Sequence, residues 1–300
     1  MQNNINNIDK IVDFFIEKYG EETYYSRGIK EKLLKWINNT EDTDIKNILL
    51  ELFNEFKLFN KLEIKQIMEE QLVECLDEVD IDCTNICHFP SVGNVYNSSS
   101  EMIPLIREID RERGNIYLYK DTIVHGIEEI SNDIEYVIFF DDISGTGGTI
   151  TKFLKNNLDF VRGKEIYINL IAITKVAKDA IDKFKADNVD LNIVLKYKYE
   201  FDKAFNCLDR LDNEHKGKLH KFEEDIWGCN NNNILGYKDS QLLIGFDHNV
   251  PNNTISSFWL ANEMVEKEIK WNPLFYRYTP RRRPKKNKKN QNRNTKKLGG

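Results

Sequence analysis

The chain has 300 residues, 40% hydrophobic and 31% charged, enough apolar material for one large or two small packed domains. No apolar run approaches the ~18–20 residues of a membrane span, so no membrane partner is expected, and the start, MQNNINNIDKIVDFF, lacks the basic-then-apolar pattern of a secretory signal. The net charge of −6 is unevenly placed: Arg277 to Gly300 hold eleven Lys/Arg and no acid, which leaves −17 on residues 1–276.

Residues 1–80 read as a helical accessory region. Ile8, Ile11, Val12, Phe15 and Ile16 share one helical face. Ile45, Ile48, Leu49, Leu52, Phe53 and Phe56 share another, with Asp42 or Thr43 as its cap, and Ile64, Ile67, Met68 and Leu72 form a third. From about Asp82 the pattern changes. CTNICHF predicts a short strand ending at Pro90, and PSVGNVYNSSS a loop. SEMIPLIREIDRERG predicts a helix capped by Ser98, Ser99 or Ser100 and stopped by Gly114. NIYLY predicts a strand, residues 120–134 a polar loop, YVIFF an apolar strand and TITKFLKNNL a helix. KEIYINLIAIT, KVAKDAIDKFKA and VDLNIVLKY continue as strand, helix and strand. This alternation predicts an α/β fold with a parallel, Rossmann-like sheet and helices on its faces.

Residues 198–240, charged and with an Asn run at 230–233, read as an insertion or cap within an α/β domain of residues 81–276. SQLLIGFDHNVPNNTISSFW returns to strand-like apolar character. Residues 277–300 form a basic tail with too little apolar character to bury, for which composition predicts disorder. It suits contact with a nucleic acid or a protein partner of acidic surface, or simply a solvated end. The five cysteines, Cys75, Cys83, Cys87, Cys207 and Cys229, are irregularly spaced, as expected of reduced thiols in a cytoplasm. Cys83, Cys87 and His88 lack the second ligand pair of a zinc site and are expected as buried strand residues, and the four tryptophans as core.

The stretch EYVIFFDDISGTGGTITKFL, residues 135–154, carries the chemistry. Ligands of open parallel sheets sit outside the carboxyl ends of the strands. Asp141 and Asp142 lie at that end, and neighbouring residues of an extended segment point in different directions. Ionised carboxylates accept hydrogen bonds, and the cis-diol of a ribose offers two donors. Ser144, Gly145, Thr146, Gly147, Gly148 and Thr149 follow, where glycines let main-chain N–H groups converge and the next helix opens towards an anion. Acids for sugar hydroxyls beside a phosphate cradle suggest a ribose 5-phosphate ligand. The order of acids and glycines does not match a dinucleotide fingerprint, and no Lys follows the glycines as in a nucleoside-triphosphate loop. A methyltransferase turn and a ligand-free strand-to-helix turn are the remaining rivals.

VIFFDDISGTGGTI resembles the phosphoribosyl-pyrophosphate (PRPP) motif of type I phosphoribosyltransferases in its strand, acids, glycines and closing threonine. The resemblance spans roughly residues 82–200. It implies that Asp141 and Asp142 hold the ribose hydroxyls and that Gly145 to Thr149 hold the 5-phosphate. It further implies a pyrophosphate loop at PSVGNVYNSSS, with Ser98 and Ser99, and a mobile lid at KDTIVHGIEEISND, with Lys120 and His125 contacting pyrophosphate. Mg²⁺ would then be bound through substrate phosphates. FDHNVPNNTISSFW and WNPLFYR are similar to phosphoribosyltransferase-like proteins of bacterial conflict and retron-type antiphage systems, which implies a defence role. Where purine-salvage members carry a carboxylate stands Gly145, which argues against a hypoxanthine–guanine enzyme. Near His248, Asn252 and Asn253 either line an acceptor pocket or make a turn. Two functions remain open: a pentosyltransferase, or a noncatalytic module that senses a nucleotide.

Overall fold

The computed structural model describes residues 2–79, 87–90, 92, 98–119, 122–124, 126–261 and 270–277. The N-terminal apolar stripes form α1 (Gln2–Tyr19), α2 (Ile29–Ile37) and α3 (Thr43–Asn54). Asp42 caps α3, its Oδ1 accepting the N–H groups of Asp44 and Ile45 at 2.9 and 3.2 Å. β1 (Lys57–Phe59) and α4 (Lys61–Val79) follow. The alternating part consists of β2 (Cys87–His88), α5 (Ser98–Glu112), β3 (Tyr136–Ser144), α6 (Gly148–Asn156), α7 (Leu158–Val161), β4 (Glu165–Thr174), α8 (Lys175–Asp187) and β5 (Asn192–Phe201). α9 (Ala204–Cys207), α10 (Asn213–Trp227) and β6 (Ile244–Phe246) follow, and short 3₁₀ helices lie at Ile127–Glu129 and Ser256–Phe258. None of the described helices is long and apolar enough to cross a membrane.

The main sheet has the order β2-β3-β4-β5, and every pairing is parallel. β3 alternates between two cores as the pleat requires. Val137 and Phe139 pack with Ile150, Leu154 and Ile181 of α6 and α8. Ile138 and Phe140 pack with Met68 and Ile106 of α4 and α5. Helices therefore cover both faces of this α/β sheet, and the near-continuous apolar run of β4 is that of a strand buried on both sides.

The path of the chain defines where this sheet opens. After α5, Ile123 forms a parallel bridge with Phe89, so the chain comes back beside edge strand β2. After α6 and α7 it moves the other way, to β4. Connections from β2 and β3 thus diverge, which leaves a crevice above their carboxyl ends. The expected strand NIYLY does not form. Gly114 and Asn115 take left-handed φ values of 89° and 58°, and the N–H groups of Asn115 and Tyr117 bond to the carbonyl and Oδ1 of Asp110, both at 2.8 Å. These bonds tie the segment to the end of α5 in place of a ladder.

The apolar side chains group differently from the sequence boundaries at 80 and 276. α1, α2 and α3 share one core with Ala204, Leu219, Trp227, Phe258, Trp271 and Phe275, while Leu242, Ile244 and Phe246 pack with α4 and α5. The 198–240 segment contributes α10, whose Lys218 pairs with Asp44 of α3 at 2.7 Å. All four tryptophans are buried. Of the cysteines, Cys75, Cys207 and Cys229 are free thiols, Cys87 opens β2, and Cys83 lies outside the described residues.

This shared core encloses an acid, Glu223 of α10. Its Oε2 accepts the Leu235 N–H at 2.6 Å, and its Oε1 accepts the Ser257 N–H and hydroxyl at 2.8 and 2.6 Å. Burial nonetheless pushes the carboxyl from 4.5 up to about 7. The fold favours the protonated acid, so this contribution to stability is complete below the unfolded value and is lost as pH rises through the folded one. The loss is on the order of 3 kcal/mol. Urea unfolding from about pH 5 to pH 8 is expected to show the decline, and Glu223→Gln to flatten it. An unchanged slope in the variant would assign the decline to other groups.

Candidate functional site

β3 does not stop at YVIFF. It runs on to Ser144, with Asp141 opposite Leu170 and Ile143 opposite Ala172 of β4. The two acids therefore sit within the last residues of the strand, above the crevice. The pleat sends Asp141 towards the α6 and α8 face and Asp142 towards the α5 face. Both are nearly enclosed, 7% and 4% exposed. Asp141 Oδ1 accepts the Asp142 N–H at 3.0 Å, and Asp142 Oδ1 accepts the Ile143 N–H at 2.7 Å. Asp142 Oδ2 meets Nε2 of His248 at 2.9 Å.

The glycine loop is built against α8 on one side and open on the other. Ser144 is buried. The Gly145 carbonyl accepts the Thr174 hydroxyl at 2.7 Å, and the Thr174 Oγ1 in turn caps α8 by accepting the Ala177 N–H at 3.0 Å. Gly147 has φ of 71°, and a Cβ there would stand 2.9 Å from Ala180 Cβ and 3.0 Å from the Ala177 carbonyl oxygen. α6 then starts at Gly148 with no side-chain cap. Gly148 and Thr149 are exposed and Thr146 half-buried. The uncapped first turn presents N–H groups and the positive end of the helix dipole to an anion.

The C-terminal segment closes over this arrangement. β6 pairs in parallel with β1, and the Phe246 carbonyl accepts the Tyr25 hydroxyl at 2.6 Å. The His248 ring stacks on Phe246, centroids 5.7 Å apart. Burial resists charging of His248, but the hydrogen bond and charge of Asp142, then Glu101 and Asp247, outweigh it and raise its pKa above the ordinary value. Farther along, the Asn253 side chain lies against Gly145, so close that a Cβ on Gly145 would overlap its amide. A carboxylate-bearing residue has no room at that position. The Asn252 carbonyl accepts the Tyr237 N–H at 2.7 Å, so this segment is both a turn and the cover of the glycine loop.

Arg277, counted by composition with the basic tail, is held against the body. Its guanidinium donates to the Val250 carbonyl at 3.1 Å and lies over the Trp259 ring at 5.3 Å. Burial lowers its pKa, opposed by the charge of Asp142. His248 and Arg277 thus bring cationic character to the acids, a role their sequence positions did not signal. The aromatic neighbours of both, Phe246 and Tyr276, were the available hint of ordered surroundings.

Other expected residues are placed as follows. The Ser99 hydroxyl is buried, accepts the Val92 N–H at 2.9 Å and donates to the Phe140 carbonyl at 2.8 Å, so it anchors the preceding loop to β3. Ser98 opens α5. Lys120 and His125 lie outside the described residues. Among the described residues no three His, Cys, Asp or Glu side chains converge to hold a metal.

The two glycines make separable predictions. Gly145→Ala is expected to cost about 1–2 kcal/mol through overpacking against Asn253, and Asn253→Ala added to it should recover most of the loss. Gly147→Ala should cost about 2 kcal/mol or more, from its left-handed backbone and the Ala177 carbonyl, with no recovery from Asn253→Ala. Chemical denaturation of the single and double variants measures both.

No curated protein matches the chain. Among solved structures, a xanthine-guanine-hypoxanthine phosphoribosyltransferase of Helicobacter pylori is similar over 48% of this chain and 89% of that one, at 11% identity and a TM-score of 0.30. The PRTase-CE family model matches residues 33–277, from α2 through the β3 acids and the glycine loop to Arg277. The chain belongs to the PRTase-CE family, a phosphoribosyltransferase-like family.

Proposed function

We propose that the chain binds PRPP or a related ribose phosphate above the carboxyl end of β3 and transfers its phosphoribosyl group to an acceptor. One observation carries this reading. Asp141 and Asp142 lie near the carboxyl end of a parallel strand beside the divergence of the chain, and an uncapped helix follows after a loop that stays open at Thr146, Gly148 and Thr149. The carboxylates accept the ribose hydroxyls, and the first turn of α6 receives the 5-phosphate. Breaking the anomeric bond passes through an oxocarbenium-like state, so the protein mainly positions the sugar, excludes water and stabilises charge.

Lys120 and His125, in the segment expected to form the lid, would face the pyrophosphate, with Ser98 and Ser99 at the base of the opposite loop. Asn252 and Asn253 would wall the acceptor side. Mg²⁺ suits this site as a companion of the substrate phosphates, because it retains waters and phosphate oxygens and needs no all-protein cage. When bound it would neutralise the leaving pyrophosphate. The similarity of FDHNVPNNTISSFW and WNPLFYR to conflict-system proteins supports a cytoplasmic defence setting, with the basic tail as a contact for nucleic acid or an acidic protein.

A second reading has its own support. Asp142 is already paired with His248, and Asn253 occupies the inner side of the glycine loop. A binding module that senses a nucleotide without turnover fits such a partly filled site. Calorimetry with PRPP and Mg²⁺, together with pyrophosphate release across a panel of bases, nucleotides and nucleic acids, separates the readings. Asp141→Asn or Asp142→Asn is expected to weaken PRPP binding roughly ten- to hundredfold, and the double variant to abolish release. Binding without release across the panel selects the sensor. Wild-type protein that takes up no PRPP overturns the ligand assignment.

A further inference from the structure

Asp142 is a carboxylate almost withdrawn from water, and such a group stays ionised only where a cation and hydrogen-bond donors replace its hydration. The Ile143 N–H serves Oδ1 at 2.7 Å, and Nε2 of His248 serves Oδ2 at 2.9 Å. Donors on different oxygens fix the plane of the carboxylate. The main-chain donor comes with the strand itself. The imidazole comes from a segment 106 residues later.

His248 is held for this task. Its ring stacks on Phe246, which β6 pairs with Phe59 of β1, and the Asp247 N–H bonds to the Phe59 carbonyl at 2.9 Å. Its side chain keeps 20% exposure, so it borders the mouth of the site. The charged groups that act on it are Asp142 of β3, Glu101 of α5 and Asp247 of its own turn, all acids that favour the imidazolium. The charge of Asp142 also favours the guanidinium of Arg277 and the neutral phenol of Tyr25.

We propose that His248 is the positioning residue of the sugar site, holding the Asp142 carboxylate ionised and oriented to accept ribose hydroxyls. The inference rests on the pentose-phosphate reading and extends it. The site would be completed by the C-terminal segment, so that the sheet and its loops, residues 82–200, do not suffice alone. No bond is made or broken by His248 in this role.

The test has a ligand-free and a liganded arm, both on the full chain. Carboxyl-carbon NMR follows Asp142 in wild type, His248→Ala and His248→Gln from about pH 4 to pH 8. The Asp142 midpoint is expected to move to higher pH in His248→Ala. It should move less in His248→Gln, whose amide keeps a donor without the charge and keeps the test decisive if the alanine variant does not fold. In the second arm PRPP with Mg²⁺ is titrated by calorimetry. His248→Ala is expected to bind about tenfold or more weakly near pH 6 and to regain part of that loss by about pH 7.5 as Asp142 ionises, while wild type stays nearly level. A purely structural histidine would lower affinity equally at every pH. An Asp142 midpoint that is the same in the folded variants and wild type overturns the positioning role whatever PRPP does. A midpoint that moves in a protein whose wild type takes up no PRPP overturns the sugar-site assignment and leaves only the Asp142–His248 coupling.

Discussion

Three residues of β1, Lys57–Phe59, pair with three residues of β6, Ile244–Phe246, and the candidate site depends on that junction. A two-stranded ladder this short is marginal by itself. Burial makes it hold: Phe59 and Phe246 are both fully enclosed and stack with centroids 5.0 Å apart. Each such side chain contributes about 2–3 kcal/mol when taken out of water. The Tyr25 hydroxyl on the Phe246 carbonyl and the Lys57 N–H on the Leu243 carbonyl, at 2.6 and 2.8 Å, add directional bonds. Two residues beyond β6 stands His248, and seven beyond it Asn253, which reach Asp142 and Gly145. The N-terminal helices share a core with Leu58 of β1 and with Val250, Ile255 and Phe258 beyond β6, and so support this junction from one side, while Phe59 and Phe246 pack in the neighbouring core.

The electrostatics follow from the same geometry. A body carrying −17 places acids at the end of β3, where two are nearly buried. Enclosed carboxylates tolerate ionisation when donors and cations are close. His248 and Arg277 bring cationic character from the C-terminal segment, and the main-chain N–H groups of Asp142 and Ile143 are among the donors. Glu223 shows the contrast: among the described residues its hydrogen bonds come from two main-chain N–H groups and a hydroxyl, and burial raises its pKa. Asp142 has an imidazole beside it, whereas Glu223 is a pH-dependent strut of the core.

The glycine loop shows how one local sequence serves two demands. Gly147 lets the chain reverse in a left-handed conformation against α8, and Gly145 admits Asn253. The inner side of the loop is filled by protein, and its outer side is exposed at Gly148 and Thr149. The same filling leaves no room for a side chain at Gly145.

Local pattern alone determined the alternating α/β order, the parallel sheet, the Asp42 cap and the acid–glycine stretch, because these depend on residues a few positions apart. Apolar periodicity and turn chemistry are short-range signals, and β4 and α8 formed where they predict, while β3 runs past YVIFF to Ser144 and β5 spans Asn192–Phe201, reaching into the segment read as an insertion. The strand expected at NIYLY failed for want of a ladder partner once Asp110 had taken its N–H groups. Only the tertiary structure decided that His248 meets Asp142, that Asn253 covers Gly145 and that Arg277 belongs to the body. Those contacts join residues more than a hundred positions apart, or seat a side chain by packing on distant aromatics. No periodicity encodes which buried surfaces meet, since that choice is made by the fit of whole elements into one core.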